Sequence, residues 1–100
     1  EQVRVLPISD DHRDYAAAVA EELRARGIRA HLDDRSETLG YRIRDGETQK
    51  VPYMAVVGER EAEAGTVAVR RRGAGKKQEV IPRSELVDQV LQATRDRTLG

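Results

Sequence analysis

The sequence predicts an α/β domain of three layers, α/β/α, with a mixed, mainly parallel five-stranded sheet flanked by three helices. Three observations point there. Apolar strand patterns alternate with helical ones through the first half of the chain, as in successive βαβ units. The run YMAVVG (53–58) is continuously apolar, the pattern of a strand covered on both faces. The connections that follow it are short, which suits antiparallel return and a mixed sheet.

VRVLPI (3–8) is β-branched and apolar, with Pro7 near the end of the strand. SDDHRDYAAAVAEELRARG (9–27) is the clearest helix: Tyr15, Val19 and Leu23 recur every fourth residue, and Ala16 and Ala20 widen that stripe. Ser9, Asp10 and Asp11 provide a cap and first-turn acids, and Gly27 a stop. IRAHLD (28–33) alternates, with Ile28, Ala30 and Leu32 on one face of a half-buried strand. A turn at 34–37 follows, with Ser36 available to cap the next helix, at about 38–49. Leu39, Ile43 and Gly46 form its packing stripe, Arg44 lies at the border, and Arg42 reads as a surface charge. Gly46 costs that helix roughly 1 kcal/mol relative to alanine, so a close approach to the sheet is the reason expected for it.

After the buried strand, EREAEAG (59–65) reads as a polar connection with a helical turn, and TVAVRRR (66–72) as an alternating strand. GAGKK (73–77) is a loop and QEVI (78–81) a short edge strand. Pro82 and then Ser84, as a cap, begin a last helix carrying Leu86, Val87, Val90 and Leu91 at helical spacing.

One hundred residues fit a single domain spanning 1–100. With 38% hydrophobic and 36% charged residues, the chain is globular but rich in charge. Eighteen basic and eighteen acidic side chains cancel, so net charge offers no argument for a nucleic-acid partner. Without cysteine there are no disulfides, thiolate metal sites or thiol nucleophiles. No apolar run approaches the roughly 20 residues of a membrane span. A cytoplasmic protein is expected. The chain opens in a strand pattern without a start methionine, as an excised piece of a longer protein would.

Signals for catalysis are weak. His12 and His31 are the only histidines, and neither has a serine or carboxylate partner at useful spacing. Asp10 and Asp11 resemble part of a phosphoacceptor pocket, but Gly58 stands where such a pocket needs a third-strand aspartate. RRRGAGKK follows an edge-like strand and precedes no helix, so it is not a phosphate-cradling loop. Charge placement is more informative. Arg70, Arg71, Arg72, Lys76 and Lys77 form a basic run without an acid. In the alternating strand Val67, Val69 and Arg71 share one face, while Ala68, Arg70 and Arg72 share the other. The run suits first an edge kept charged against strand-on-strand association, and next an anionic partner.

The stretches GIR…DDR…E.LGYRIR and QKVPYM.VVG..E.E.GTVAVRRR resemble the C-terminal anticodon-binding domains of threonyl-tRNA synthetases. That group shares the class II anticodon-binding fold with prolyl-, histidyl- and glycyl-tRNA synthetases, and the resemblance covers about Val3 to Leu91. It implies a five-stranded mixed sheet with three helices, within a domain excised from the C-terminus of a longer synthetase. It further implies an RNA partner, the anticodon loop of threonine tRNA, with neither DNA nor membrane involved. Base-contacting positions of the family map onto Arg44, Glu61 and Arg70. The family usually has asparagine where this chain has Ser36, so only a hydroxyl carries over there. Arg71, Arg72, Lys76 and Lys77 would steer phosphates. No cofactor is implied for this domain and no catalytic residue. The parent ligase would use ATP with magnesium, hold a zinc in its catalytic domain, and form a homodimer. A descendant of the fold repurposed as a protein-interaction or accessory module is the rival reading, distinguished by loss of the base-contacting residues.

Overall fold

Val3–Pro7 (β1) alternates as a strand between two helical layers must: Val3 and Val5 enter one apolar cluster, and Leu6 enters the other. The structure, a computed structural model, describes residues 2–72 and 78–99, with side chains through residue 93. A single 3₁₀ turn (Asp10–His12) leads into α1 (Arg13–Ala25), followed by β2 (Ala30–Leu32) and α2 (Leu39–Thr48). Then come β3 (Tyr53–Val57), α3 (Glu59–Ala64), β4 (Thr66–Arg71), β5 (Glu79–Pro82) and α4 (Arg83–Leu99).

The sheet order is β2-β1-β3-β4-β5. β1 pairs in parallel with β2 (Val3↔Ala30) and with β3 (Val3↔Tyr53). The chain steps to one side of β1 through α1 and to the other side through α2. Right-handed crossovers in opposite directions place the two helices on opposite faces. α1 and α4 cover one face, where Val19, Leu23, Leu86 and Val90 meet Val3, Val5, Val57, Val67 and Val69. α2 covers the other, where Leu39 and Ile43 pack against Leu6, Met54, Val56 and Ala68. The predicted three layers and five strands are present.

The pairings divide evenly, because β4 runs antiparallel to both β3 and β5. The sheet is thus mixed rather than mainly parallel in its pairings. A parallel return needs a crossover of roughly a dozen residues or more, and the connection carrying the six-residue α3 is too short. That helix makes a fourth beside the three expected. It ends at Gly65, whose φ of 71° is left-handed.

Several boundaries differ from expectation. Ser9 makes no side-chain cap bond, since the 3₁₀ turn intervenes before α1. Thr38 rather than Ser36 caps α2, its Oγ1 accepting from Tyr41 N at 3.1 Å. Pro82 closes β5, and α4 starts at Arg83, so Ser84 falls inside the helix. The stripe of α2 is as predicted. Gly46 is buried, and a Cβ there would lie 2.5 Å from Met54 Sδ, which explains the glycine by close approach to the sheet.

Candidate nucleic-acid interface

Arg4 occupies an interior strand and faces α2, so its charge must be met within the fold. It is: Arg4 Nη1 donates to Asp45 Oδ2 at 2.9 Å and lies 3.9 Å from Asp33 Oδ2. Arg35 grips Asp33 twice, Nε to Oδ1 and Nη2 to Oδ2, both at 2.8 Å, and reaches Asp45 Oδ2 at 3.0 Å. Two arginines and two aspartates thereby tie β1, the segment after β2 and α2 into one unit. Burial pushes the Asp33 carboxyl up, but the hydrogen bonds from Arg35 outweigh it and hold Asp33 below its ordinary value. Hydrogen bonds from Arg4 and then Arg35 hold Asp45 low as well. The same bonds raise Arg35.

Arg42 belongs to this unit, contrary to its reading as a surface charge. It is 4% exposed, and its Nη1 donates to the Asp33 carbonyl at 2.9 Å. Its Nε donates to the Glu37 carbonyl at 3.3 Å. The guanidinium satisfies carbonyls of the 33–37 segment that no strand partner reaches. Sequence reasoning missed the whole network, although an arginine within the otherwise apolar β1 was a visible signal for it.

The network fixes what stands around it. Ser36 is exposed and lines a cleft of about 310 Å³ with Ile8, Ser9, Asp10, Asp34, Arg35, Glu37 and Arg42. Ile8 is 48% exposed, and its Cδ1 lies 2.6 Å from where a Cβ on Gly58 would stand. Gly58 in turn donates its backbone N–H to Glu61 Oε1 at 2.8 Å, capping α3. Ser36 thus shares a cleft with Ile8, and Ile8 approaches the Gly58–Glu61 cap, at the carboxyl ends of the parallel strands.

Arg44 is exposed on the outer side of α2. Among the described residues its side chain makes no hydrogen bond or ion pair, and neighbouring Asp45 is taken by Arg4 and Arg35. Arg70, opposite Met54 in the β3–β4 ladder, lies on the α2 face of the sheet. Its Nε is buried without a hydrogen-bond partner among the described residues. Arg71 faces the other way, donating to Glu79 Oε2 at 3.4 Å and to Gln89 Oε1 on α4. Those bonds give Arg71 a structural occupation. Arg72 is exposed, and its backbone N–H is bonded to the Pro52 carbonyl at 2.9 Å. Lys76 and Lys77 lie outside the described residues.

The arrangement suits recognition. Arg44 offers guanidinium donors from the outer side of α2, Arg70 lies on the sheet face that α2 covers, and Ser36 and Glu61 bring a hydroxyl and a carboxylate to the strand ends. Among the described residues no group of three or more His, Asp or Glu side chains could hold a metal, and no helix is long and apolar enough to cross a membrane.

Comparison with known proteins shows what the chain as a whole is similar to. The chain is 43% identical over 96 residues to a threonine–tRNA ligase of Carboxydothermus hydrogenoformans, an alignment covering 96% of the chain and 15% of that protein. It is 57% identical over 74 residues to the corresponding ligase of Syntrophomonas wolfei, covering 74% of the chain and 12% of the relative. The chain thus spans about one seventh of the length of such relatives. The RNA-binding domain of threonyl-tRNA synthetase from Cryptosporidium parvum superposes with a TM-score of 0.86 at 32% identity, over 92% of this chain and 23% of that one. A prolyl-tRNA synthetase of the same organism gives 0.82 at 27% identity, over 95% and 21%. The family model described as "Anticodon binding domain" matches residues 2–93, so the chain belongs to that family.

Proposed function

We propose that this chain is the anticodon-reading module of a threonine–tRNA ligase, supplying tRNA binding and selectivity to an enzyme that attaches threonine to its tRNA. The observation that carries the reading is the near-complete alignment of the chain with threonine–tRNA ligases. Arg44, Arg70, Glu61 and Ser36 are the proposed base contacts. Loop bases can be splayed out so that their Watson–Crick edges meet side chains, and the surface offers donors and an acceptor of the kinds those edges need. A glutamate accepts from the N1–H and amino group of guanine. With Oε1 of Glu61 on the Gly58 amide, Oε2 is the oxygen left for that role. Arg72, and Lys76 and Lys77 beyond the described residues, would add attraction to phosphates.

The partners proposed are the anticodon loop of threonine tRNA and a catalytic domain of the same longer chain, in a homodimeric cytoplasmic ligase. The ATP, magnesium and zinc of such a ligase would be held by that catalytic domain. Affinity for a threonine anticodon stem-loop and for one with a scrambled loop, measured at physiological salt, tests the reading. The threonine loop should bind more tightly, and Arg70→Ala or Glu61→Ala should erase much of the difference. Equal binding of both loops would leave only phosphate attraction and sink the proposal.

A further inference from the structure

The chain contains three tyrosines and no phenylalanine or tryptophan. Tyr15 donates its hydroxyl to the Thr66 carbonyl at 2.7 Å, and Tyr53 packs against the larger apolar cluster. Tyr41 is different: it stands in the first turn of α2 and is 51% exposed. Leu39, Ile43 and Gly46 face the sheet, which places Tyr41 and Arg44 together on the outer side, three residues apart and one turn from each other. The Arg35 guanidinium lies over the Tyr41 ring, 5.8 Å from its centroid. That guanidinium is itself held by Asp33 and Asp45, so it backs the ring from a fixed position. The Tyr41 backbone N–H is tied to the Thr38 cap. An exposed aromatic, backed by an immobilised arginine and beside one without a side-chain partner among the described residues, has the composition of a stacking surface for a nucleobase.

We propose that Tyr41 is a stacking platform for one unpaired base of the bound RNA loop, next to the base contacted by Arg44. The inference rests on the RNA-binding reading above and adds a residue to it. An aromatic face is indifferent to base identity, so Tyr41 contributes affinity and places the loop, while discrimination stays with the hydrogen-bonding side chains.

Two measurements test it. In the first, Tyr41→Leu, Tyr41→Phe and Arg44→Ala are titrated with a threonine anticodon stem-loop, and again with versions carrying an abasic sugar at each loop position in turn. Tyr41→Leu should weaken binding by about 5- to 150-fold, Tyr41→Phe should bind like the parent, and the loss should disappear for one abasic loop. In the second, Tyr41→Trp supplies the only indole in the chain. Its fluorescence should be quenched by the stem-loop and not by the same single abasic version. This reporter also covers the case in which Tyr41→Leu fails to fold. If Arg44→Ala binds weakly while Tyr41→Leu binds like the parent, the stacking role is wrong although the RNA reading stands. The ring would then serve Arg35 or a protein contact. An unquenched Tyr41→Trp that still binds the stem-loop overturns it in the same way. A parent that binds neither the threonine loop nor the scrambled one removes the RNA reading, and this inference with it.

Discussion

Asp33 and Arg35 form a two-pronged pair, Nε to Oδ1 and Nη2 to Oδ2 at 2.8 Å each, in which the carboxylate is 1% exposed and the guanidinium 45%. The pair joins a buried acid to the rim of the proposed interface. Its carboxylate has no water to fall back on if the arginine is lost, whereas the arginine has. Disruption should therefore be read from the aspartate side. Asp33→Asn keeps the shape but replaces one acceptor with an amide that points donors at a donor. Stability should fall by about 1–3 kcal/mol in urea unfolding. An unchanged midpoint would mean that the network has little part in holding the 33–37 segment.

The same network fixes the pH dependence. Asp33 and Asp45 are both held below the ordinary aspartate value of 3.8. Each binds its proton less readily folded than unfolded, so its contribution is complete above that value and is lost as pH falls through the folded value. Urea midpoints should stay level at neutral pH and drop steeply below about pH 4. In Asp33→Asn the drop should be shallower. A parallel decline in the two proteins would show that the acid sensitivity originates elsewhere.

Gly46 and Met54 make a second contact that can be measured. Alanine is the better helix former by roughly 1 kcal/mol, yet its Cβ would overlap Met54 Sδ. Gly46→Ala should thus give little or no gain by itself, because the methionine must move within a packed layer. In a Met54→Ala background the obstruction is gone, and the same substitution should stabilise by about 1 kcal/mol. Additive behaviour across the double-mutant cycle would contradict the close approach.

Much of this could be read along the chain, and what could not has a common cause. The stripe Leu39–Ile43–Gly46 was legible because helix period and apolar character are local, and the reason for Gly46 followed from the stripe. The alternation of β4 likewise separated Arg70 from Arg71, though not the bonds of Arg71 to Glu79 and Gln89. Arg42 was misread because its position beside the stripe suits a surface charge until the 33–37 segment brings carbonyls to it. Glu61 entered through the family resemblance alone, and its cap bond depends on where α3 begins. Pairings fixed by the meeting of distant segments leave no periodic trace in the sequence.

Lys50 follows the Gln49 cap of α2 with φ at 60°, the one non-glycine residue in the left-handed region among those described. The Val51 N–H donates to the Gly46 carbonyl at 3.0 Å and that of Lys50 to the Glu47 carbonyl at 3.1 Å, the paired bonds of a Schellman turn. Glycine is the usual occupant there, since a Cβ costs roughly 1–2 kcal/mol in this conformation. Lys50→Gly should stabilise by several tenths to about 1 kcal/mol, the remainder being offset by glycine's freer unfolded chain. Thermal unfolding would show it, and a lower midpoint would count against the turn geometry.

Arg70 carries the most informative prediction, because its contributions to folding and to binding should have opposite signs. A buried N–H without an acceptor costs about 1–3 kcal/mol of desolvation, and the Arg70 Nε is in that position among the described residues. Arg70→Met keeps much of the unbranched stem that lies on the α2 face and removes the donor. Folding stability should therefore hold or rise by about 1 kcal/mol. Affinity for a threonine anticodon stem-loop should fall by about 1–3 kcal/mol, the value of a good base-edge contact in DNA complexes. Arg70→Lys should recover little of that affinity, because an ammonium lacks the planar fork. The two readouts separate the interpretations. A variant that loses stability and affinity together would make Arg70 a packing residue, whereas a more stable protein that no longer selects the threonine loop would make it a reader kept at a structural cost.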